Sequence, residues 1–309
     1  MAERSTLPPT EQRNPKTMEL DMMTAEQLVQ VMNEEDATVA GAVARELPQI
    51  AAAAERIAQI LRQGGRLFYV GAGTSGRLAM LDALECPPTF NTDPQQVQAV
   101  VAGGAGGDVT SSAEFEDRAD VGRQAMVERA VGSNDVVIGV AASGTTPFTV
   151  AALEEARARG AVTVAVACVP DSELARVAEI GICPVVGPEV LTGSTRLKAG
   201  TAQKLVLNML STASMVRLGK AYSNLMVEVR PTNKKLQARA ERVFMDAVGA
   251  TAEDAQQWLR RAEGNLKVAI VMASTGVNRQ EAVRLIAAAG GQARGAIAAA
   301  GPRRQGGVR

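Results

Sequence analysis

The chain of 309 residues contains no histidine. That removes the commonest general base and the commonest metal ligand. Acid–base chemistry must then fall to carboxylates, lysines, tyrosines or thiols. Aromatic residues make up only 3% of the chain, so surfaces for stacking bases or flat cofactors are scarce. Neither sign of charge is in excess: 33 Lys and Arg stand against 33 Asp and Glu. No basic face is implied, and nucleic acid is not expected as a partner. The closing PRRQGGVR reads as a solvated tail. No apolar run is long enough to span a bilayer, since VVIGVAASG and AVTVAVACV are each strand-length. The polar start MAERSTLPPTEQRNPK carries no secretory pattern, and a soluble cytoplasmic protein is expected. The three cysteines (Cys86, Cys168, Cys183) are odd in number and lack metal-like spacing. Cys168 and Cys183 sit in apolar strand-like runs and read as buried thiols.

What is present is 46% hydrophobic content, enough for one large domain with appendages or two modest domains. Prolines 8, 9 and 15 mark a loose N-terminal arm. TAEQLVQVMNEED opens with Thr24 and carries Gln27 three residues on, a capping-box start to a helix. A second helix follows Asp36, and Pro48 starts a third that Gly64-Gly65 stops. The pattern then changes. RLFYV, VQAVVAG, DVVIGVA, AVTVAVAC and GICPVV read as strands, with helices over GRLAMLDALE, EFEDRADVGRQAMVERAV and FTVAALEEARARG. Short apolar runs alternating with helical periods predict an α/β fold: a parallel sheet with helices on both faces. Ligands of such sheets bind at the carboxyl ends of the strands, near a switch in strand order. A long helix is expected from TRLKAGTAQKLVLNMLSTASMVRLG. Residues 232–248 and three or four short helices to about residue 300 then form a small helical bundle.

GAGTSG after the first strand fits GxGxxG, but a dinucleotide site needs an acid at the end of the next strand, about 20 residues on. That strand ends in VVAGGAGG, and its first acid is Asp108. A second loop, GVAASGTTP, repeats the same design of apolar strand, small residues, Ser-Gly and helix. Amides at a helix N-terminus, with the helix dipole, favour phosphate. Gly73, Thr74 and Ser75, with Ser143, Gly144, Thr145 and Thr146, suit one phosphate and several sugar hydroxyls. TGSTR, with Ser194 and Thr195, is a third such turn. Any one of the three alone reads more readily as a helix N-cap; three in one parallel domain point to a phosphorylated polyol. Pro87 and Pro88 predict that the helix begun near Gly76 ends at Glu85. A carboxylate there faces the negative end of the dipole, which favours its protonated form and suits a general acid. The plainer reading is an exposed Glu paired with Arg or Lys. Glu116 lies where strand gives way to helix, or else belongs to an acidic first turn with Glu114, Asp117 and Asp120.

GAGTSGRLAMLDALECPPTF, ASGTTP and above all EVLTGSTRLKAGTAQKLVLNMLST make the chain resemble the N-acetylmuramic acid 6-phosphate etherases of the sugar-isomerase (SIS) superfamily. NPKTMELDMMTAEQLVQVMNEED and NLMVEVRPTNKKL are similar to that family too, so the resemblance runs from about Thr10 to about Gly295. It implies an N-terminal arm with helices over 1–54, a phosphosugar-binding SIS domain over 55–218 and a helical region over 219–309. It also implies cleavage of the lactyl ether by elimination and hydration, giving N-acetylglucosamine 6-phosphate and D-lactate, with no metal or organic cofactor. The family's acids carry over to Glu85, which would protonate the departing lactate, and Glu116, which would act as base at carbon 2, with Glu114 as the competing base. Ser75 and Glu85 stand ten residues apart on one predicted helix, roughly 15 Å at 1.5 Å per residue. A sugar phosphate is shorter, so Glu85 is expected to serve a site completed by the neighbouring subunit of a homodimer. An aldose–ketose phosphosugar isomerase would share the phosphate loops without needing ECPP or the long TGSTRLKAGTAQK signature. A phosphosugar-sensing regulator related to the glucokinase regulatory protein would normally be a longer, duplicated chain.

Overall fold

The computed structural model describes residues 7–104, 114–228 and 234–301. Asp108, the 229–233 part of the NLMVEVRPTNKKL stretch and the PRRQGGVR tail lie outside the described residues. Three short 3-10 turns, Pro9–Glu11, Pro15–Thr17 and Leu20–Met22, make up the arm. Helix α1 (Ala25–Asp36) opens with the expected capping box: Gln27 N–H donates to Thr24 Oγ1 at 3.3 Å, and Thr24 N–H donates to Gln27 Oε1 at 2.8 Å. Helices α2 (Val39–Ala44) and α3 (Leu47–Arg62) follow, the latter with Pro48 in its first turn.

Five strands then form one sheet: β1 (Arg66–Gly71), β2 (Val97–Val101), β3 (Asp135–Val140), β4 (Val162–Val166) and β5 (Ile180–Ile182). Every pairing is parallel, in the order β2-β1-β3-β4-β5. All of β3 and β4 is buried, as expected of strands covered on both faces. The covering helices are α3, α4 (Gly73–Phe90), α5 (Ala119–Glu128), α6 (Pro147–Ala158), the short α7 (Glu173–Val177) and α8 (Lys198–Arg217). Phe68, Val70, Val137, Phe148, Leu153 and Leu174 lie in the apolar core. The strand order reverses between β1 and β3, which are direct neighbours with Gly71 opposite Val140. The chains leaving these two strands therefore flank the crevice where such sheets hold ligands.

Three sequence expectations shift. Of GICPVV only Gly181 and Ile182 are strand, in a three-residue β5 that starts at Ile180, because Pro184 has no N–H for a ladder. The helix expected over 114–131 is broken: residues 114–116 make one helical turn, and α5 begins at Ala119 after Arg118 takes an extended ψ of 86°. The third concerns α4, which does not stop at Glu85 but continues through Pro87 and Pro88 to Phe90. Proline's own φ is helical; what it removes is two N–H donors, those that would reach the carbonyls of Ala83 and Leu84. The helix ends one turn later at Asn91, whose φ of 52° is left-handed and whose N–H closes on Pro87 O at 2.9 Å.

The chain divides into two compact units: Met1–Leu84 with Pro94–Ala213, and Glu85–Asp93 with Ser214–Arg309. Residues 1–54 thus group with the sheet, and the short span from Glu85 groups with the C-terminal region. The second unit contains a small hairpin of β6 (Ala221–Tyr222) and β7 (Leu225–Met226). Its helices are α9 (Lys234–Val248), α10 (Ala252–Arg261), α11 (Leu266–Thr275), α12 (Arg279–Ala288) and α13 (Ala293–Ala300). Seven consecutive residues of α11, Leu266 to Met272, are buried, so it is the central helix of this bundle. Thr251, Asn265 and Asn278 cap α10, α11 and α12 with side-chain oxygens. The one charge on the buried run of α11, Lys267, is satisfied by an ion pair with Glu228 and a 3.0 Å bond to Gly291 O.

Candidate functional site at the β1 and β3 loops

The first loop is shaped by glycine. A Cβ on Gly76 would lie 2.7 Å from Gly71 O and 2.8 Å from Val101 Cγ1, so α4 sits on the strand ends only because that position is bare. Gly73 has a φ of 53°. Thr74 and Ser75 follow in the first turn of α4, where helix geometry leaves N–H groups unspent; Gly73, Thr74 and Ser75 are all half-buried. The second loop is a hydroxyl-locked turn. Ser143 Oγ and Thr145 Oγ1 lie 3.0 Å apart, and Thr145 N–H donates to Ser143 Oγ at 3.3 Å. Gly144 has a φ of 70°, and a Cβ there would fall 2.2 Å from Ser172 Oγ. Thr145 is exposed and Thr146 half-buried.

Glu116 is brought to this second loop. Its Oε1 accepts from Thr146 Oγ1 at 3.4 Å, a long contact, and the residue is half-buried. Glu114 is exposed and faces the charge of Arg118. The geometry therefore separates the two candidate bases: one carboxylate touches the loop threonine, and the other faces solvent.

The third turn differs from the first two. The opening amides of α8 are already taken, because Glu189 accepts from Lys198 N–H at 3.0 Å and from Ala199 N–H at 2.9 Å. Glu189 is fully buried, and burial pushes its pKa up against those two amides and the Lys198 charge. The expectation of an open helix N-terminus behind Ser194 and Thr195 is not met, since a carboxylate from nine residues upstream occupies it. Ser194 and Thr195 remain half-buried in the turn that leads into α8.

A second buried network, which sequence reasoning missed, fixes the same segment. Glu35 of α1 accepts from Lys198 Nζ at 2.5 Å, Lys16 Nζ at 2.8 Å and Asn14 Nδ2 at 2.9 Å. Burial pushes the Glu35 carboxyl up, but these donors outweigh it and hold the pKa down at about 2. Asn14 also donates to Pro188 O at 3.3 Å, and Thr17 Oγ1 donates to Val190 O at 2.9 Å. The N-terminal arm is thus a strap across residues 188–190. The available signal was Glu189, a lone acid in VVGPEVL; Glu35 is hidden among Asn33, Glu34 and Asp36, and Lys198 follows Arg196.

Three further polar contacts were not foreseen. Ser75 Oγ donates to Oε1 of the buried Gln203 on α8 at 3.0 Å. Asp82, on α4, accepts from Tyr69 OH at 2.8 Å and from Ser211 Oγ at 3.0 Å, while burial raises its pKa. Glu85, one turn after Asp82, is exposed. Together with Arg77, Leu81, Leu84 and Pro88 it forms one exposed stripe of α4, on which Leu81 keeps 49% and Leu84 65% of its surface in solvent. Among the described residues, no cluster of three or more Cys, Asp or Glu is placed to hold a metal ion, and no helix is long and apolar enough to cross a membrane.

Residues 32–168 match the SIS domain. The chain is 53% identical over 290 residues to the N-acetylmuramic acid 6-phosphate etherase of Mycolicibacterium smegmatis, spanning 94% of this chain and 97% of that protein. It is 52% identical over 291 residues to the protein of the same name from Streptomyces coelicolor, spanning 94% of each. Among solved structures, a phosphoheptose isomerase from Francisella tularensis is similar at 18% identity and a TM-score of 0.48, covering 62% of this chain and 98% of that one.

Proposed function

The chain belongs to the N-acetylmuramic acid 6-phosphate etherases, and on that premise we propose how its residues divide the reaction. It is an enzyme that cleaves the lactyl ether of N-acetylmuramic acid 6-phosphate, consuming water and releasing N-acetylglucosamine 6-phosphate and D-lactate. The relationship over nearly the full chain carries this conclusion. The paired loops at the β1/β3 switch support it, because they offer amides and hydroxyls where a phosphosugar would lie.

In the reading proposed, the first turn of α4 (Gly73, Thr74, Ser75) and the β3 loop (Ser143, Gly144, Thr145, Thr146) receive the phosphate and sugar hydroxyls. Glu116 takes the proton from carbon 2 of the open-chain aldehyde, whose carbonyl makes that proton acidic. The bond between carbon 3 and the ether oxygen breaks, its electron pair goes to the departing lactate, and Glu85 gives that oxygen a proton. Water then adds at carbon 3 of the unsaturated aldehyde, leaving its proton on Glu85, and Glu116 returns its proton to carbon 2. The long contact from Thr146 to Glu116 is the observation that favours Glu116 over Glu114. Ser194 and Thr195 act in this reading through their side-chain hydroxyls, since the α8 amides are occupied.

The exposed stripe of α4 supports a homodimer in which Glu85 serves the phosphosugar held by the neighbouring subunit. It places Leu81 and Leu84 beside Glu85 on one face, an apolar surface that pairing would bury. The enzyme would work in the cytoplasm on a small soluble substrate. Measuring lactate released from the muramic substrate by wild type, Glu85→Gln and Glu116→Gln tests the assignment. Release by wild type and loss in both variants is expected; full activity in either variant overturns the role given to that residue.

A further inference from the structure

Gln203 sits on α8, 1% exposed, with its Oε1 receiving the only proton of the Ser75 hydroxyl. Its Nε2 is buried and has no hydrogen-bond partner among the described residues, which is unusual for an amide donor away from water. A hydroxyl that spends its proton on an amide oxygen can only accept further bonds. A phosphate oxygen also only accepts, so in this arrangement Ser75 offers the phosphate nothing from its side chain. Turning the Gln203 amide end for end removes the conflict. Nε2–H then donates to Ser75 Oγ, Oε1 takes the unpartnered position in its stead, and the Ser75 O–H is freed to donate elsewhere.

We propose that Gln203 is a positioning residue that sets the direction of the Ser75 hydroxyl, with its amide turning when the phosphate of the sugar binds so that Ser75 donates to it. Gln203 does not touch the substrate and acts only through Ser75. The framework around the pair is tight enough to hold them in register. The first turn of α4 packs on the first turn of α8, where the Thr74 methyl would lie 3.8 Å from a Cβ on Gly200. This inference rests on the proposal that Ser75 receives the phosphate.

A double-mutant cycle on the full chain tests it, with KM and kcat for the muramic substrate and the melting temperature as readouts. Ser75→Ala is expected to raise KM about tenfold, equivalent to about 1.4 kcal/mol of binding, with kcat little changed, as for a contact made equally in ground and transition states. Gln203→Met, which keeps the length and removes both polar atoms, is expected to raise KM about fivefold. The double variant should be no worse than Ser75→Ala alone. If Ser75→Ala leaves KM unchanged, the reading of the loop as a phosphate site fails. If Ser75→Ala raises KM but Gln203→Met does not, or the two effects multiply, the positioning role is overturned while the phosphate site stands. Should Gln203→Met not fold, Gln203→Asn, one methylene too short to reach Ser75, is read in its place. Loss of folding in both would make Gln203 a packing residue and overturn the proposal.

Discussion

At the scale of single residues, the carboxylates divide by what surrounds them. Glu116 is held beside a loop threonine, Glu85 is exposed, Glu189 caps α8, and Glu35 anchors the N-terminal arm. Only the first two are free of a structural task, which is consistent with the roles proposed for them. A general acid or base typically contributes about 10²–10⁴-fold in rate. Glu116→Gln and Glu85→Gln should each lower kcat by at least about 10²-fold, while the melting temperature stays near that of wild type. Glu35 should behave in the opposite way. Its loss leaves Lys198 buried without its partner, and breaking such a pair costs about 3–5 kcal/mol. A Glu35→Gln chain is therefore expected to melt well below wild type. The pH dependence follows from the direction of the shift. The Glu35 carboxyl lies lower in the folded chain, at about 2, than in the unfolded one, so the unfolded state binds its proton more readily. Its contribution is complete above the ordinary carboxylate value and is lost as pH falls towards about 2. Acid titration of stability should show a shallower decline in Glu35→Gln than in wild type across that window.

At the scale of elements, the strands were legible because a parallel sheet buries both faces and leaves uninterrupted apolar runs such as DVVIGV and VTVAV. The capping box at Thr24 was legible because it is a local bond pattern with fixed spacing. The end of α4 was not. Two prolines read as a stop, but they cost hydrogen bonds rather than helical φ, and the stop came from the left-handed Asn91. Glu85 therefore lies inside a helix that runs five residues beyond it, and the dipole argument for its role no longer applies. The cap on α8 was hidden for a different reason, because Glu189 reaches it from outside the helix through a fold-dependent approach. The Ser75–Gln203 bond joins residues 128 apart in sequence, so no spacing rule could find it. The β3 loop offers a test at this scale. Gly144 combines a left-handed φ with a neighbour 2.2 Å from where a Cβ would stand. Gly144→Ala should destabilise the chain by at least about 1–3 kcal/mol and also raise KM, because the turn that aims Ser143 and Thr145 must shift. An unchanged melting temperature with unchanged KM would show that the loop is not held as described.

At the scale of the whole molecule, the question is where Glu85 acts. About 15 Å of helix separates it from Ser75 by the helical rise, and the leucines of its stripe, Leu81 and Leu84, are exposed among the described residues. A homodimer that shares its sites accounts for both. Mixing Glu85→Gln chains with Glu116→Gln chains should then restore part of the activity that each lacks, because half of each mixed dimer's sites would be intact. Mixed dimers that form yet stay as inactive as their parents would place Glu85 at its own subunit's site. The most direct test of the central claim, an elimination followed by hydration, is the reaction run in ¹⁸O-labelled water, with both products read by mass. The account predicts that label enters N-acetylglucosamine 6-phosphate at carbon 3 and that the D-lactate carries none. Label in the lactate hydroxyl instead, or no lactate at all, would contradict it.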